Sequence, residues 1–464
     1  MHGNVIAAIS TPPGKGGVAV IRVSGDGATD IAERVFFPIS GKSIESYPDR
    51  TQIYGYIKYN NEYIDDGMLT VFRGPRSYTG EDTVEISCHG GILITATVLE
   101  ALFAAGAVPA EAGEFTRRAF INGKLSLSEA EAIGTLLEAS THEQIRLSAS
   151  DSRARLNEAT EAIRYDITDV MSSIYARIDY PDEDLGEFTD LECRERLLSI
   201  KEKVKSLMDT YRTGHAINEG ISAVICGKPN VGKSTLYNLI VGEDAAIVTD
   251  IAGTTRDVLE KTVSLGRVLI KIADTAGLRQ NNAVDVVEKI GIERTVGRIA
   301  SAELILAMFD LSRPFDDEDR ELIEQLSVSH AHKICILNKH DTGTVSFDRS
   351  LVQTGVFDEI IEISARDMED DARGRLTELI NRLFTDEKIA CGHEAIVSSA
   401  RQHAALLRAY GFINTAIDAY DIGLPADAAS SDIEMALGAI AELDGRGVTE
   451  SVVTDIFAKF CVGK

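Results

Sequence analysis

The stretch ISAVICGKPNVGKSTLYNLI holds the pattern G-x-x-x-x-G-K-S from Gly227 to Ser234, with an apolar run before it and a helix-forming run after it. The order strand, glycine-rich loop, helix constrains the fold more than any other feature, because it is the context in which such a loop wraps phosphates. The glycines let backbone N–H groups approach an anion, and the helix N-terminus adds its positive end. Within Asn230, Val231, Gly232, Lys233, Ser234 and Thr235, the lysine is suited to reach the β- and γ-phosphates and Ser234 to ligate Mg²⁺.

Three further loops follow strand-like runs. Asp274, Thr275, Ala276 and Gly277 follow VLIKIA; Asn338, Lys339 and Asp341 follow KICIL; Ser364, Ala365 and Arg366 follow IIEI. Asp341 has the chemistry to accept two hydrogen bonds from guanine N1–H and its exocyclic amine, a donor pair that adenine lacks. The Ser364–Arg366 loop offers a backbone contact to the guanine oxygen. Open parallel sheets bind ligands at the C-terminal ends of their strands, so the four loops together imply a GTP site. The run TDIAGTTRD adds a switch-like loop of Thr249, Asp250, Ile251, Ala252, Gly253, Thr254 and Thr255, with Thr255 suited to Mg²⁺. Leu278 follows DTAG, where a Ras-like protein carries the Gln that orients water. Hydrolysis must therefore rely on other groups.

Length and charge bound the rest. The 464 residues suffice for two to four domains at roughly 100–200 residues each. The formal charge of −26 argues against generic binding to a phosphate backbone. Six scattered cysteines, without a C-x-x-C pair, read as reduced thiols mostly in cores. No apolar run approaches a membrane span, and MHGNVIAAIS lacks the features of a secretory signal, so a cytoplasmic protein is expected.

Residues 1–120 alternate short β-rich runs with turns and one helix near 91–105. From about 121 to 216 the period is helical, opened by the capping pattern Ser126-x-x-Glu129. Ile163, Ile167, Val170, Ile174 and Ile178 mark one buried face, and Pro181 ends that helix. Residues 217–384 alternate strand and helix. Helices resume over 385–464, with Leu406, Tyr410, Ile413, Ile417 and Tyr420 in step. The simplest architecture inserts an α/β domain between two halves of one helical domain; two independent helical modules are the alternative. The pairs Arg117–Arg118 and the run KEKVK read as solvated helix faces, DDEDRE as solvent-facing, and His89 beside Cys88 as structural. TPPGKGG lacks the phosphate-loop order and feeds a strand.

These loops resemble the Era/TrmE branch of GTPases, and the whole chain resembles the TrmE (MnmE) family of tRNA-modification GTPases. The resemblance rests on GKPNVGKSTL, TDIAGTTRD and DTAGLR, on TPPGKGGVAVIRVSG, PRSYTGEDTVEISCHGG and GEFTRRAFINGKLSLSEAEA, and on the terminal FCVGK. It implies an N-terminal α/β domain that binds a tetrahydrofolate derivative (5,10-methylene or 5-formyl) and forms a homodimer. A discontinuous helical domain and an inserted Ras-like P-loop G domain with a mostly parallel sheet complete the implied fold. Paired G domains would bind K⁺ in place of an arginine finger, with ligands falling on Asn230, Thr249, Ile251 and Thr254. The water-orienting glutamate falls on Glu288 in VVEKIGIER by local context, since two extra residues precede that helix; a solvated helix glutamate is the alternative. Folate contacts fall on Arg22, Glu85 and Lys124, for which structural ion pairs are the alternative.

The tail is the last inference. FCVGK is a poor prenylation signal, and Val452, Ile456 and Phe460 step by four toward it. By resemblance Cys461 acts as nucleophile or acid in one-carbon transfer, with Lys464 beside it; a buried structural cysteine is the alternative. The family adds an aminomethyl or carboxymethylaminomethyl group to the wobble uridine of certain tRNAs, with FAD supplied only through the partner MnmG (GidA) in a heterotetramer or larger complex. LSLSEAEA, SAR and Val462 depart mildly from the family pattern. Two other classes remain: a ribosome-assembly GTPase, which should carry a KH-like RNA module, and a dimerising GTPase switch without one-carbon chemistry.

Overall fold

The computed structural model describes residues 3–179, 189–242, 260–273, 299–342, 347–353, 355–366, 371–386 and 394–463, and the chain divides into two compact units. The first unit comprises Met1–Glu138 with Gly438–Lys464, and the second Ala139–Leu437.

In the first unit, strands β1 (Ile6–Ile9), β2 (Gly16–Ser24), β3 (Phe36–Pro38), β4 (Gln52–Tyr59), β5 (Glu62–Phe72), β6 (Thr83–Gly90) and β7 (Val108–Pro109) form one sheet. Their order is β3-β4-β5-β6-β2-β1-β7, antiparallel except where β7 runs parallel to β1. β4 shows why it is a one-sided strand: Ile53, Gly55 and Ile57 are buried while Tyr54 and Tyr56 face out. Helices α1 (Ala28–Glu33) and α2 (Ile92–Ala104) contribute to the main core, and α3 (Glu114–Ile121) inserts Phe115 beside Ile6 and Ala8. TPPGKGG runs into β2, as its sequence implies.

Helix α4 (Leu127–Glu138) opens with the expected capping box, Glu129 N–H donating to Ser126 Oγ and Ser126 N–H to the Glu129 carboxylate. Ser128, whose spacing from Glu131 also reads as a capping pattern in the sequence, lies inside the helix and donates to the Leu443 carbonyl.

The second unit holds α5 (His142–Leu147), α6 (Ser150–Asp179), α7 (Asp190–Asp209), α8 (Tyr211–Asn218) and then the nucleotide-type sheet. Strands β8 (Ile221–Gly227), β9 (Glu260–Leu265), β10 (Val268–Ala273), β11 (Leu304–Asp310), β12 (His332–Asn338) and β13 (Glu359–Ile363) pair in the order β13-β12-β11-β8-β10-β9. Only β9 is antiparallel to its neighbour. All of LILAMFD in β11 is buried, the continuous apolar run of a strand covered on both faces. Helices α9 (Lys233–Val241), α10 (Asp317–Ser327) and α11 (Ala372–Phe384) accompany this sheet, and α12 (Ala400–Asp421) follows it. Helices α7 and α12, from opposite sides of the α/β segment in sequence, pack on each other, so the helical part is discontinuous rather than two separate modules.

Ile163, Ile167, Val170 and Ile174 are buried as expected, but Ile178 is 45% exposed, because α6 reaches its last turn there. Pro181 lies outside the described residues. The joint between helices and sheet is polar: His215 on α8 contacts Glu303 at 3.1 Å and Glu219 at 3.4 Å, and Ser222 N–H donates to Glu303. These carboxylates push the His215 imidazole up to about 9 against the opposing effect of burial.

After α13 (Ala426–Asp444), helix α14 (Glu450–Phe457) belongs to the first unit, where Val453 and Phe457 pack with Leu127 and Ala130. Buried positions on α14 are thus one residue later than the Val452, Ile456 and Phe460 stripe, which is only half-buried.

Candidate functional site

The phosphate-type loop runs from the end of β8 to the start of α9. Gly227 and Gly232 both sit at positive φ (141° and 109°), and Asn230 holds φ 65°. A Cβ on Gly232 would overlap Asn338 Nδ2, and one on Gly227 would lie 2.5 Å from the Met308 carbonyl oxygen. Glycine is required at both positions for conformational and steric reasons. Lys233 Nζ donates to the carbonyls of Gly227 and Lys228, both at 2.7 Å, which curls the lysine over its own loop. Burial holds this ammonium below the usual lysine range. Val231 is buried, Thr235 half-buried and Ser234 exposed at the first turn of α9.

Asn338 joins three loops. Its Nδ2 donates to Val231 O at 2.7 Å and its Oδ1 accepts from Ala365 N–H at 3.0 Å, so the end of β12 ties the phosphate-type loop to the Ser364–Arg366 loop. Neighbouring Lys339 adopts φ 67° and reaches Asp310 Oδ2 at 2.7 Å. Ser364 and Ala365 are buried; Asp341 and Arg366 are exposed. The described loops thus converge at one end of the parallel strands, and a glycine cradle lined by backbone N–H groups and a lysine suits a nucleotide phosphate. Thr249, Asp250, Ile251, Ala252, Gly253, Thr254, Thr255, Asp274, Thr275, Ala276, Gly277 and Glu288 lie outside the described residues.

In the first unit, strand register sets Arg22 opposite Glu85. The guanidinium meets that carboxylate through Nε at 2.9 Å and Nη2 at 2.8 Å, and lies 5.5 Å from the ring centres of Tyr78 and Phe115. Lys124 Nζ donates to Pro75 O at 2.8 Å, at the start of the loop that carries Tyr78. The strand face therefore holds a guanidinium–carboxylate ion pair, the alternative named for these two residues, beside the half-buried Tyr78 ring and the buried Phe115 ring. That donor set suits a flat, N–H-rich ring bearing acidic groups.

The chain end docks on the same unit, next to the end of β1. β7 is tied to β1 through Ala110 N–H to Ala7 O, and the tail contacts residues just beyond both strands. Gly113 N–H donates to Cys461 O at 3.4 Å, Val462 bridges Ala112, and Ser10 Oγ donates to Gly463 O at 3.0 Å. Gly463 has φ 98°, and a Cβ there would overlap the Ile9 carbonyl. Cys461 is exposed, which removes the buried-cysteine alternative. Cys88, Cys193, Cys226 and Cys335 are buried, while Cys391 and Lys464 lie outside the described residues.

Two charged runs behave differently from the sequence expectation. Arg118 is not on a solvated face: it is largely buried and bonds Glu81 at 3.0 Å, Glu114 at 2.8 Å and Asn4 O at 3.0 Å, while Arg117 reaches Glu450. Only the Glu114–Arg118 spacing of four signalled part of this. Asp319, inside DDEDRE, is buried against Lys228 at 2.7 Å because it sits at the third position of a capping box. His89 pairs with Asp65 at 2.8 Å, in keeping with a structural role. Among the described residues no cluster of His, Cys, Asp or Glu has the makings of a metal site, and no helix is long and apolar enough to cross a membrane.

Comparison with known proteins matches residues 5–124 to the family described as GTP-binding protein TrmE N-terminus and residues 127–461 to that described as MnmE helical domain. The tRNA modification GTPase MnmE of Clostridioides difficile (strain 630) is 38% identical over 461 residues, covering 99% of each chain. The protein of that name from Thermotoga sp. (strain RQ2) is 37% identical over 462 residues, 99% of this chain and 100% of that one. Its counterpart in Ligilactobacillus salivarius (strain UCC118) is 38% identical over 467 residues, 99% of this chain and 98% of that one. Similarity of this extent spans both units and the tail, and the chain belongs to the MnmE family.

Proposed function

We propose that this chain hydrolyses GTP in the service of tRNA modification. The observation that carries the reading is the three-way tie at Asn338, within a chain that matches proteins named tRNA modification GTPase over nearly its full length. Lys233 would meet the phosphates, Asn338, Lys339 and Asp341 the guanine, and Ser364, Ala365 and Arg366 its oxygen. Ser234 and Thr255 would hold Mg²⁺, which neutralises phosphate charge when bound. Asn230, Thr249, Ile251 and Thr254 would hold K⁺ between paired G domains, and Glu288 would orient water.

The finer reading concerns the first unit. Arg22, Glu85 and Lys124 would bind a tetrahydrofolate derivative, with Cys461 and Lys464 brought to it by the docked tail. The product would be an aminomethyl or carboxymethylaminomethyl group on a wobble uridine, made by a homodimer together with the FAD-dependent MnmG in the cytoplasm. Residues 1–120, 121–216, 217–384 and 385–464 would be the functional divisions. An exposed thiol on an anchored tail supports the one-carbon role over an indifferent chain end.

GTP turnover by the purified chain in K⁺ and in Na⁺, at equal ionic strength, tests the first part. Faster turnover in K⁺ is expected, and equal rates would remove the potassium mechanism. Titration with 5-formyl-tetrahydrofolate tests the second: saturable binding weakened by Arg22→Ala is expected, and binding indifferent to that change would count against it.

A further inference from the structure

One connection grips both halves of the nucleotide-type loop set. It runs from Asp310, the last residue of β11, to Asp319 in the first turn of α10. At its start, Asp310 is nearly buried and accepts from Lys339 Nζ at 2.7 Å, Ser312 N–H at 3.0 Å and Ser312 Oγ at 2.6 Å. The next residue, Leu311, donates its N–H to Asn338 O at 3.0 Å. Midway, Arg313 Nη2 donates to Pro229 O at 3.3 Å. At its end, Asp316 and Asp319 take Lys228 Nζ at 2.6 and 2.7 Å. Lys228 and Asp319 are both buried, and the Lys228 carbonyl is itself one of the two acceptors for Lys233 Nζ.

The loops so gripped are those with unusual backbones: Asn230, Gly232 and Lys339 all have positive φ. Such conformations persist only where the surroundings over-determine them. A buried lysine–carboxylate pair is well suited to that task, since loss of one partner leaves an uncompensated buried charge.

We propose that Asp319 and Asp310 are positioning residues for GTP: Asp319, through Lys228, sets the phosphate loop, and Asp310, through Lys339, sets the guanine loop. A single connection then fixes the spacing between the two halves of the site. This rests on the reading that these loops bind GTP, and neither carboxylate needs to touch the nucleotide.

The test uses the full-length chain with N-methylanthraniloyl-GDP release and steady-state GTP hydrolysis. Asp319→Asn and Asp310→Asn should each speed GDP release and raise KM by about tenfold, with kcat at saturation kept within about twofold. Asp317→Asn, at an exposed carboxylate of the same first turn, should stay near wild type. Should Asp319→Asn fail to fold, the double change Lys228→Met with Asp319→Leu removes both buried charges and should fold yet still release GDP fast. Wild-type release and KM in a folded Asp319→Asn or double variant would overturn the proposal, as would a fall in kcat with unchanged KM. Wild-type protein that binds no GDP would remove the GTP reading beneath it, a failure visible before any variant is made.

Discussion

The nucleotide-type loops and the Arg22 site are built by opposite means. The former are backbone devices: glycines, a helix N-terminus and an asparagine whose two amide ends bond Val231 O and Ala365 N–H. The latter is a side-chain device, with Arg22 and Glu85 brought together by antiparallel register, and in the same unit the chain end docks on Ile9, Ser10 and Ala112. A backbone device demands particular residues at particular spacings, so it leaves a readable trace. A register device demands only that two strands pair, and any polar residue can occupy the paired position.

This difference can be broken or sharpened by substitution. The largest effect should follow Gly232→Ala, which forces a side chain into positive φ and onto Asn338. Guanine-nucleotide affinity should fall by about a hundredfold or more, given ~1–2 kcal/mol for the backbone alone and further loss from displacing Asn338. Isothermal titration with GDP checks it; an affinity within twofold of wild type would show the loop to be tolerant.

Next comes Asn338→Ala, which strands Val231 O and Ala365 N–H in a buried setting. Each orphaned group costs about 1–3 kcal/mol, so the second unit should melt well below wild type in calorimetry even without nucleotide.

Gly463→Ala probes the side-chain device. Its positive φ and the neighbouring Ile9 carbonyl leave no room for a methyl group, so the tail should detach while the sheet survives. Carboxypeptidase should then trim the C-terminus about tenfold faster, at a cost to tail docking of ~1–2 kcal/mol. Equal trimming would mean that the tail is not held by this contact.

The smallest effect is expected at the polar joint. His215 is raised from 6.5 to about 9 on folding by Glu219 and Glu303, so its contribution is full below its unfolded value and is lost as pH rises through about 9. The second unit should therefore melt lower at about pH 9.5 than at about pH 7, and His215→Gln should flatten that slope. A slope unchanged by the substitution would assign it to other groups.

Much of the second unit was legible. The strand-and-loop alternation and the places of the Gly227, Asn338 and Ser364 loops at strand ends follow from apolar runs and glycine positions. What escaped were long-range polar pairs inside charged runs. Asp319 looked solvated because its neighbours are acidic, yet a capping box turned it inward to Lys228, 91 residues away in sequence. Arg118 looked solvated because it follows Arg117 in a basic pair, and only the fold brings Glu81 to it. On α14 the period was right but the phase was off by one residue, because Val453 and Phe457 meet Leu127 while Phe460 lies beyond the helix. In the first unit the strands were legible, but the Arg22–Glu85 pairing was not, since register between residues 63 apart has no local signal; family resemblance implied both residues only as folate contacts.

The proposed activity joins the two sites, and nucleoside analysis of tRNA tests that union most directly. Cells lacking their own copy of this family member would be complemented with this chain, and wobble uridines measured by mass spectrometry. Restored aminomethyl or carboxymethylaminomethyl uridine with the wild-type chain, and its loss with either Lys233→Ala or Arg22→Ala, is the predicted result. No restoration by the wild-type chain, or full restoration by Arg22→Ala, would contradict it.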